Sequence, residues 1–305
     1  MARTHVSLGR AAFIPLAACA LVFGSAVGVA AQSPDASGAP AVIGPECAKD
    51  QLSLKNPGRL TLSTDNPAYP PWWAGEAPEG SEWELGFPHA GEGYEGATAA
   101  AVAAALGFTP EEIDWIPNTV FENAFAPGPK PFDWHMAQIT ITPERAEAVD
   151  FSDSYFDSNQ SLVALADTPA ATATSIAELK DKRLGAAVGT TSLAFIENVI
   201  QPDGGAQVFN DNAALVQALQ NGQIDGLVAD VYSAIYMRDV HLTGAVLVGS
   251  FSSDQQVDQM GMVFEKGSAL TPCVDQALSV IKSDGTLQTI YDTYIGGGEG
   301  LPVLQ

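Results

Sequence analysis

Polar residues fall at or just past the carboxyl ends of predicted strands in four places: Asp65, Thr140, Gly189–Thr191 and Asp230. Open α/β sheets bind ligands along that edge, where loops and helix N-termini converge. Acids, hydroxyls and a Gly-Thr-Thr turn ahead of a predicted helix are suited to holding a small charged molecule, because free N–H groups at such a turn favour an anion. Residues for bond-making chemistry are not evident. The chain has no P-loop, no HExxH and no GxSxG, so neither nucleotide hydrolysis, zinc catalysis nor that class of serine hydrolase has visible machinery. Gly91-Glu-Gly-Tyr-Glu-Gly96 matches GxGxxG letter for letter. The preceding LGFPHA is no apolar strand, however, and Glu92 and Glu95 would repel a pyrophosphate. It reads as a glycine loop leading into a helix. His89, His135 and His241 are isolated in the sequence, so no metal and no cofactor is expected.

The elements that must carry these residues alternate. Leu60–Asp65 is a predicted strand, and Tyr69-Pro-Pro-Trp-Trp73 a loop, since consecutive prolines cannot serve a central strand. Alanine-rich Glu95–Leu106 is a predicted helix stopped by Gly107, and Ile113–Ile116 a short strand. Phe132–Ile141 leads into a helical turn at Thr142-Pro-Glu-Arg145. Ser175 and Glu178 have capping-box spacing. Leu184–Val188 reads as strand, Thr191–Ile200 as helix, Asn212–Gln220 as a helix closed by Gly222, and Ile224–Ala229 as a strand running into Asp230. A strand at Met260–Phe264 and helices at Pro272–Lys282 and Thr286–Tyr294 follow. Such alternation predicts an α/β fold with mainly parallel sheets.

Residues 1–31 have a basic start, an apolar stretch over Ala11–Ala31 and small residues at Val29 and Ala31, as in a cleaved signal peptide. An uncleaved anchor, or lipoprotein processing at Cys19 after Leu16-Ala-Ala, are the alternatives. Each exports the chain, to a periplasmic or extracellular location. Removing Arg3 and Arg10 with this leader takes the net charge from −23 to −25. So acidic a surface repels phosphate backbones, which argues against nucleic acid as a partner. The remaining cysteines, Cys47 and Cys273, form an even pair in an oxidising compartment and predict a disulfide; two unpaired buried thiols are the alternative.

The block Ile139-Thr-Ile-Thr-Pro-Glu-Arg-Ala-Glu-Ala-Val-Asp-Phe-Ser152, with Tyr155 after it, resembles the signature of the family-3 extracellular solute-binding proteins, the polar-amino-acid receptors of ABC importers. Gly93-Tyr-Glu-Gly96, Phe132-Asp133, Leu179-Lys-Asp-Lys182, Gly189-Thr-Thr191, Asn221-Gly-Gln-Ile-Asp225, Phe264-Glu-Lys-Gly-Ser268 and Asp284-Gly-Thr286 follow the family's order and spacing. The resemblance spans roughly residues 58–295. It implies the periplasmic binding protein type II fold: two Rossmann-like α/β lobes joined by a two-strand hinge near Tyr155–Ser161 and Gln256–Gly261. Residues 32–55 would be an N-terminal segment, 56–158 with 259–305 a discontinuous first lobe, and 159–258 the second. The lobes would close on a ligand by hinge motion.

By the same resemblance Arg145 matches the arginine that clamps the ligand carboxylate, with Thr140 and Thr191 as further donors. Asp230 matches the ammonium-binding aspartate. Plain structural duties compete: surface pairing of Arg145 with Glu147 or Asp150, and helix capping for Asp230. Asp65 matches a side-chain contact, Tyr69 an aromatic wall, and Trp72 and Phe121 approximate further walls. Gln138 replaces a usually small residue, and Ala187 stands where some relatives carry a contacting side chain. Such a pocket disfavours acidic ligands and favours neutral-polar or cationic amino acids. The resemblance implies a free amino acid and a membrane permease as partners, and a monomer. A dehydratase acting on prephenate or arogenate is the enzymatic rival, but it needs a cleft acid beyond Asp65 and Asp230, and no spare glutamate is evident. A sensor input domain is a further rival; against it, the chain reaches Gln305 without a following membrane span.

Overall fold

The computed structural model describes residues 41–252, 257–296 and 301–305, so the leader, its cleavage site and Cys19 lie outside the described residues. From the N-terminus the elements are β1 (Leu60–Asp65), α1 (Tyr94–Ala105), β2 (Ile113–Asn118), β3 (Trp134–His135), α2 (Pro143–Ala148), β4 (Val149–Phe151), β5 (Phe156–Ser158) and β6 (Gln160–Leu165). Then come β7 (Leu184–Ala187), α3 (Thr191–Phe195), β8 (Gln207–Phe209), α4 (Asn212–Gln220), β9 (Gly226–Asp230), α5 (Val231–Tyr236) and β10 (Ala245–Phe251). The chain closes with β11 (Asp258–Met260), β12 (Val263–Glu265), α6 (Thr271–Ser283), α7 (Thr286–Tyr294) and β13 (Val303–Leu304).

Two sheets result. One has the order β2-β1-β3-β12-β4, the other β13-β10-β6-β9-β7-β8. Between them β5 and β11 form a separate antiparallel ladder, in which Asp258 pairs with Ser158 and Met260 with Phe156. The expectation of mainly parallel sheets needs correcting. Strands β1–β2, β1–β3, β7–β8, β7–β9 and β10–β13 pair in parallel, whereas β6 is antiparallel to both β9 and β10, and β12 to β3 and β4. The cause is the pair of crossings, since strands entering a sheet directly from β5 and β11 arrive without a helical crossover and need not run parallel. For the same reason the single strand expected at Met260–Phe264 is two, broken at Gly261, where a side chain would collide with Ile141. Residues 303–304, grouped by the sequence with the first lobe, supply an edge strand to the six-stranded sheet.

Each sheet has its own apolar filling. Leu60, Leu62, Val102, Trp134, Val274 and Leu278 belong to the core of the five-stranded sheet with α1 and α6, and Leu162, Leu184, Phe195 and Val228 to that of the six-stranded sheet. Cys47 and Cys273 are disulfide-bonded, fastening the segment ahead of β1 to α6. Glu178 departs from the capping box expected with Ser175: its carboxylate accepts from the backbone N–H of Thr174 instead.

Candidate ligand-binding cleft

The segment before α2 is tied to the hinge. Thr140 bridges to Met260, the Ile141 N–H donates to the Gln259 carbonyl, and the Gly261 N–H donates to that of Ile139. Thr142 caps α2 by accepting from the Arg145 N–H at 3.2 Å, which sets Arg145 in the first turn, facing inward. Arg145 as a whole is 9% exposed. One guanidinium N–H group donates to the Thr140 carbonyl at 2.7 Å and another to the Gly189 carbonyl, across the cleft, at 2.8 Å. Phe125 lies under the cation at 4.3 Å and Phe121 at 5.7 Å. Burial lowers its pKa to about 10, with Asp258 and Glu144 opposing, so it stays charged at neutral pH. The competing surface pairing is not seen: Asp150 pairs with Lys266 at 3.0 Å, and no salt bridge reaches Arg145 among the described residues.

The opposite wall comes from the six-stranded sheet. Thr190 caps α3 by accepting from the Leu193 N–H, so Thr191 is the first helical residue rather than the one before. Its hydroxyl is 3.3 Å from that of Thr140 and 3.1 Å from an oxygen of Asp258. Ala187, at the end of β7, offers its carbonyl to the Thr190 hydroxyl and no polar side chain. Asp230 ends β9 and caps α5, one carboxylate oxygen accepting from the N–H groups of Tyr232 and Ser233 at 3.2 and 3.1 Å. Burial raises its pKa, and the charge of Asp258 raises it further.

Aromatic side chains close the cleft from both sides. Trp72, 1% exposed, donates from its indole to the Ser233 hydroxyl at 3.3 Å and packs edge-on against Tyr94, Phe156 and Tyr232. Tyr69 faces Tyr236 and His241 over a cavity of about 150 Å³ that Gln138, Val216 and Met237 also line. Contacts running from Trp72 to Ser233, Tyr69 to Tyr236 and Arg145 to Gly189 mean that the two walls meet; the cleft is closed. A larger groove of about 770 Å³, between Tyr94, Asp157, Lys282 and Tyr291, is bordered by Phe156 and Gln259 of the hinge strands and includes none of Asp65, Thr140, Thr191 and Asp230.

Asp65 accepts from the Asn118 carboxamide at 2.8 Å, and burial raises its pKa to about 7. His135 lies 3.6 Å away, too far for a hydrogen bond; its other ring nitrogen meets the Ser63 hydroxyl at 3.0 Å. Burial lowers the His135 pKa to about 3, so the ring is neutral.

Sequence reasoning missed two acids. Glu95 is wholly buried, so a spare glutamate does exist beside the site. It accepts from the Gln138 N–H at 2.7 Å, the Gln138 carboxamide at 2.5 Å, the Trp73 indole at 2.7 Å and the Tyr155 hydroxyl. These bonds hold Gln138 at a φ of 52°, a left-handed conformation that costs a non-glycine residue energy. Burial raises the Glu95 pKa to about 7 against the pull of its donors. Its place in the first turn of α1, within the glycine loop, was the available signal. The second acid is Asp258, 2% exposed on β11, which accepts from the Gln160 carboxamide as well as from Thr191. Nothing in its local sequence marked it. Among the described residues no group of three or more His, Cys, Asp and Glu side chains could hold a metal.

Comparison with known proteins agrees with this architecture. The profile of the bacterial extracellular solute-binding proteins, family 3, matches residues 86–297. The glutamine-binding protein GlnH of a Bacillus subtilis ABC transporter is 32% identical over 161 residues, covering 52% of this chain and 56% of that protein. The structure of an ancestral arginine-binding protein bound to arginine superposes with a TM-score of 0.63 at 27% identity, covering 78% of this chain and 99% of that one. An ancestral amino acid-binding protein described as a precursor of cyclohexadienyl dehydratase gives 0.60 at 27% identity, covering 78% and 95%. With a match that takes in more than half of its length, the chain belongs to the bacterial extracellular solute-binding proteins of family 3.

Proposed function

We propose that this protein is the exported receptor of an ABC importer and that its cleft binds a free amino acid. The ligand carboxylate lies on Arg145, Thr140 and Thr191, and its ammonium on Asp230. The observation that carries the reading is the buried Arg145 guanidinium, whose hydrogen bonds go to neutral carbonyls from both walls. A cation in that setting gains most from a carboxylate, which its planar fork can bind through two parallel bonds. Capping of α5 by Asp230 is compatible with ammonium binding, since one carboxylate accepts several hydrogen bonds. Tyr69 and Gln138 then face the side-chain end, with Asp65 behind them. Relatives described as glutamine- and arginine-binding support an amino-acid ligand. Export by the leader and delivery to a membrane permease complete the role.

The test is a thermal-shift screen against the standard amino acids, because a ligand that binds only the folded state raises the melting temperature. A flat response to all of them would refute the reading. Glu95 gives the enzymatic rival its one specific support, a buried carboxyl with a raised pKa. Yet both of its oxygens are engaged by Gln138, Trp73 and Tyr155. Conversion of prephenate or arogenate by the protein would reinstate that rival.

A further inference from the structure

With a carboxylate on Arg145 and an ammonium on Asp230, the ligand's side chain is still to be placed. The cavity of about 150 Å³ beside Tyr69 borders both ends of that arrangement. On one side it is bounded by Gln138, two residues before Thr140, and on the other by Ser233, whose N–H donates to Asp230 at 3.1 Å.

Its walls lack charge. Among the described residues that line the cavity there is no aspartate, glutamate, lysine or arginine. Asp65, expected at the side-chain end, is not one of them and accepts from Asn118 instead. Acids close by have other duties. Asp230 caps α5, and Glu95 is enclosed by Gln138, Trp73 and Tyr155. Asp211, whose charge reaches Tyr69, caps α4 from an exposed position. A charged side chain entering the cavity would give up water without meeting an opposite charge there.

What the walls offer suits a ring. Tyr69, Tyr236 and His241 pack on one another, tilted or edge-on, with centroids 5.8, 6.3 and 5.2 Å apart, and Val216 and Met237 continue the apolar lining. An apolar cavity of about 150 Å³ is large enough to admit benzene. Aromatic rings and a thioether both make favourable contacts with a further ring. One neutral polar group is available as well. Glu95 accepts from the Gln138 carboxamide nitrogen, which leaves the carboxamide oxygen as an acceptor that no described residue uses.

We propose that this cavity is the side-chain subsite and that it selects amino acids with an uncharged aromatic side chain, the ring seated between Tyr69 on one wall and Val216, Tyr236 and Met237 on the other. The inference rests on the amino-acid reading above and goes beyond it in naming the ligand class and the residues of the second wall.

The experiment is calorimetric titration of the wild-type protein and of Val216→Phe with L-phenylalanine, L-tyrosine, L-arginine, L-glutamine and L-alanine, the variant first checked for a cooperative melt. The wild type should bind phenylalanine or tyrosine about tenfold or more tighter than the other three, because a ring buries the most surface without stranding a charge. Val216→Phe places a ring of the protein's own in the cavity. It should weaken the aromatic ligands by roughly tenfold or more, and alanine, which is too short to fill the cavity, much less. A wild type that prefers arginine, glutamine or alanine overturns the aromatic class while leaving the amino-acid reading intact. Equal losses for alanine and the aromatic ligands in Val216→Phe would overturn the placement of the ring. A wild type that binds no amino acid overturns both readings. If Val216→Phe does not fold, Ala213→Phe, at an exposed position on the rim of the same cavity, takes its place.

Discussion

Replacing Arg145 by alanine removes three things at once. The ligand carboxylate loses its cationic fork; the closed cleft loses the bond to the Gly189 carbonyl; and Phe125 loses the cation 4.3 Å from its ring. Truncating one member of a buried, hydrogen-bonded charge pair costs about 2–5 kcal/mol, and the lost cation–π contact adds about 0.5–2 kcal/mol. Only part of the second and third losses affects binding, since both also stabilise the protein without ligand. A reduction in affinity of roughly 30-fold to several thousandfold is therefore expected, read by calorimetric titration with whichever amino acid gives the largest thermal shift. Arg145→Lys separates charge from geometry. It keeps the cation but cannot make two parallel bonds to one carboxylate, and it should recover only part of the loss. Unchanged affinity in Arg145→Ala, in a variant that still melts cooperatively, would refute the carboxylate assignment. Rescue to full affinity by lysine would refute the argument from the planar fork.

Other perturbations test the surroundings. Asp230→Asn should weaken amino-acid binding strongly while leaving the melting temperature of the unliganded protein nearly unchanged, because asparagine caps a helix as well as aspartate; an intact ligand profile would remove the ammonium role. Reducing the bond between Cys47 and Cys273, 226 residues apart, should cost about 5 kcal/mol in the chain-entropy model, visible as a lower denaturation midpoint in urea. The unliganded protein should also melt higher at pH 6 than at pH 8. Asp65 and Glu95 have folded pKa values of about 7, above their unfolded ones, so the folded state holds protons that the unfolded chain releases, and stability falls as the pH rises toward 7. His135 opposes this below its unfolded value of 6.5, being neutral in the fold, but it is one group against two. Glu95→Gln should flatten the slope, and a melting temperature indifferent to pH over this range would contradict both raised values.

Local chemistry made much of the scaffold readable. The stop at Gly107, the helical turn at Thr142-Pro-Glu-Arg145, the strand running into Asp230 and the pairing of two cysteines each depend on residues close in sequence or on simple parity, and each has its counterpart in the structure. The hinge chemistry was not readable, because its partners are remote. Gln160 meets Asp258 across 98 residues, and Glu95 meets Gln138 across 43 and Tyr155 across 60. No spacing rule links such positions. Phe121 was read as a wall for the ligand, yet its neighbour Phe125 lies closer to Arg145, a distinction set by the turn that holds both. Trp72 had competing readings as wall and as core. It fills the aromatic cluster beside β5, and its indole donates to Ser233 on the opposite side of the cleft.

The most direct measurement is a crystal structure of the protein with the amino acid that binds it best. The ligand carboxylate should lie against the Arg145 guanidinium and the Thr191 hydroxyl, and its ammonium against Asp230. A ligand bound in the groove between Tyr94, Asp157, Lys282 and Tyr291, or lying in the cleft with its two ends reversed, would contradict this.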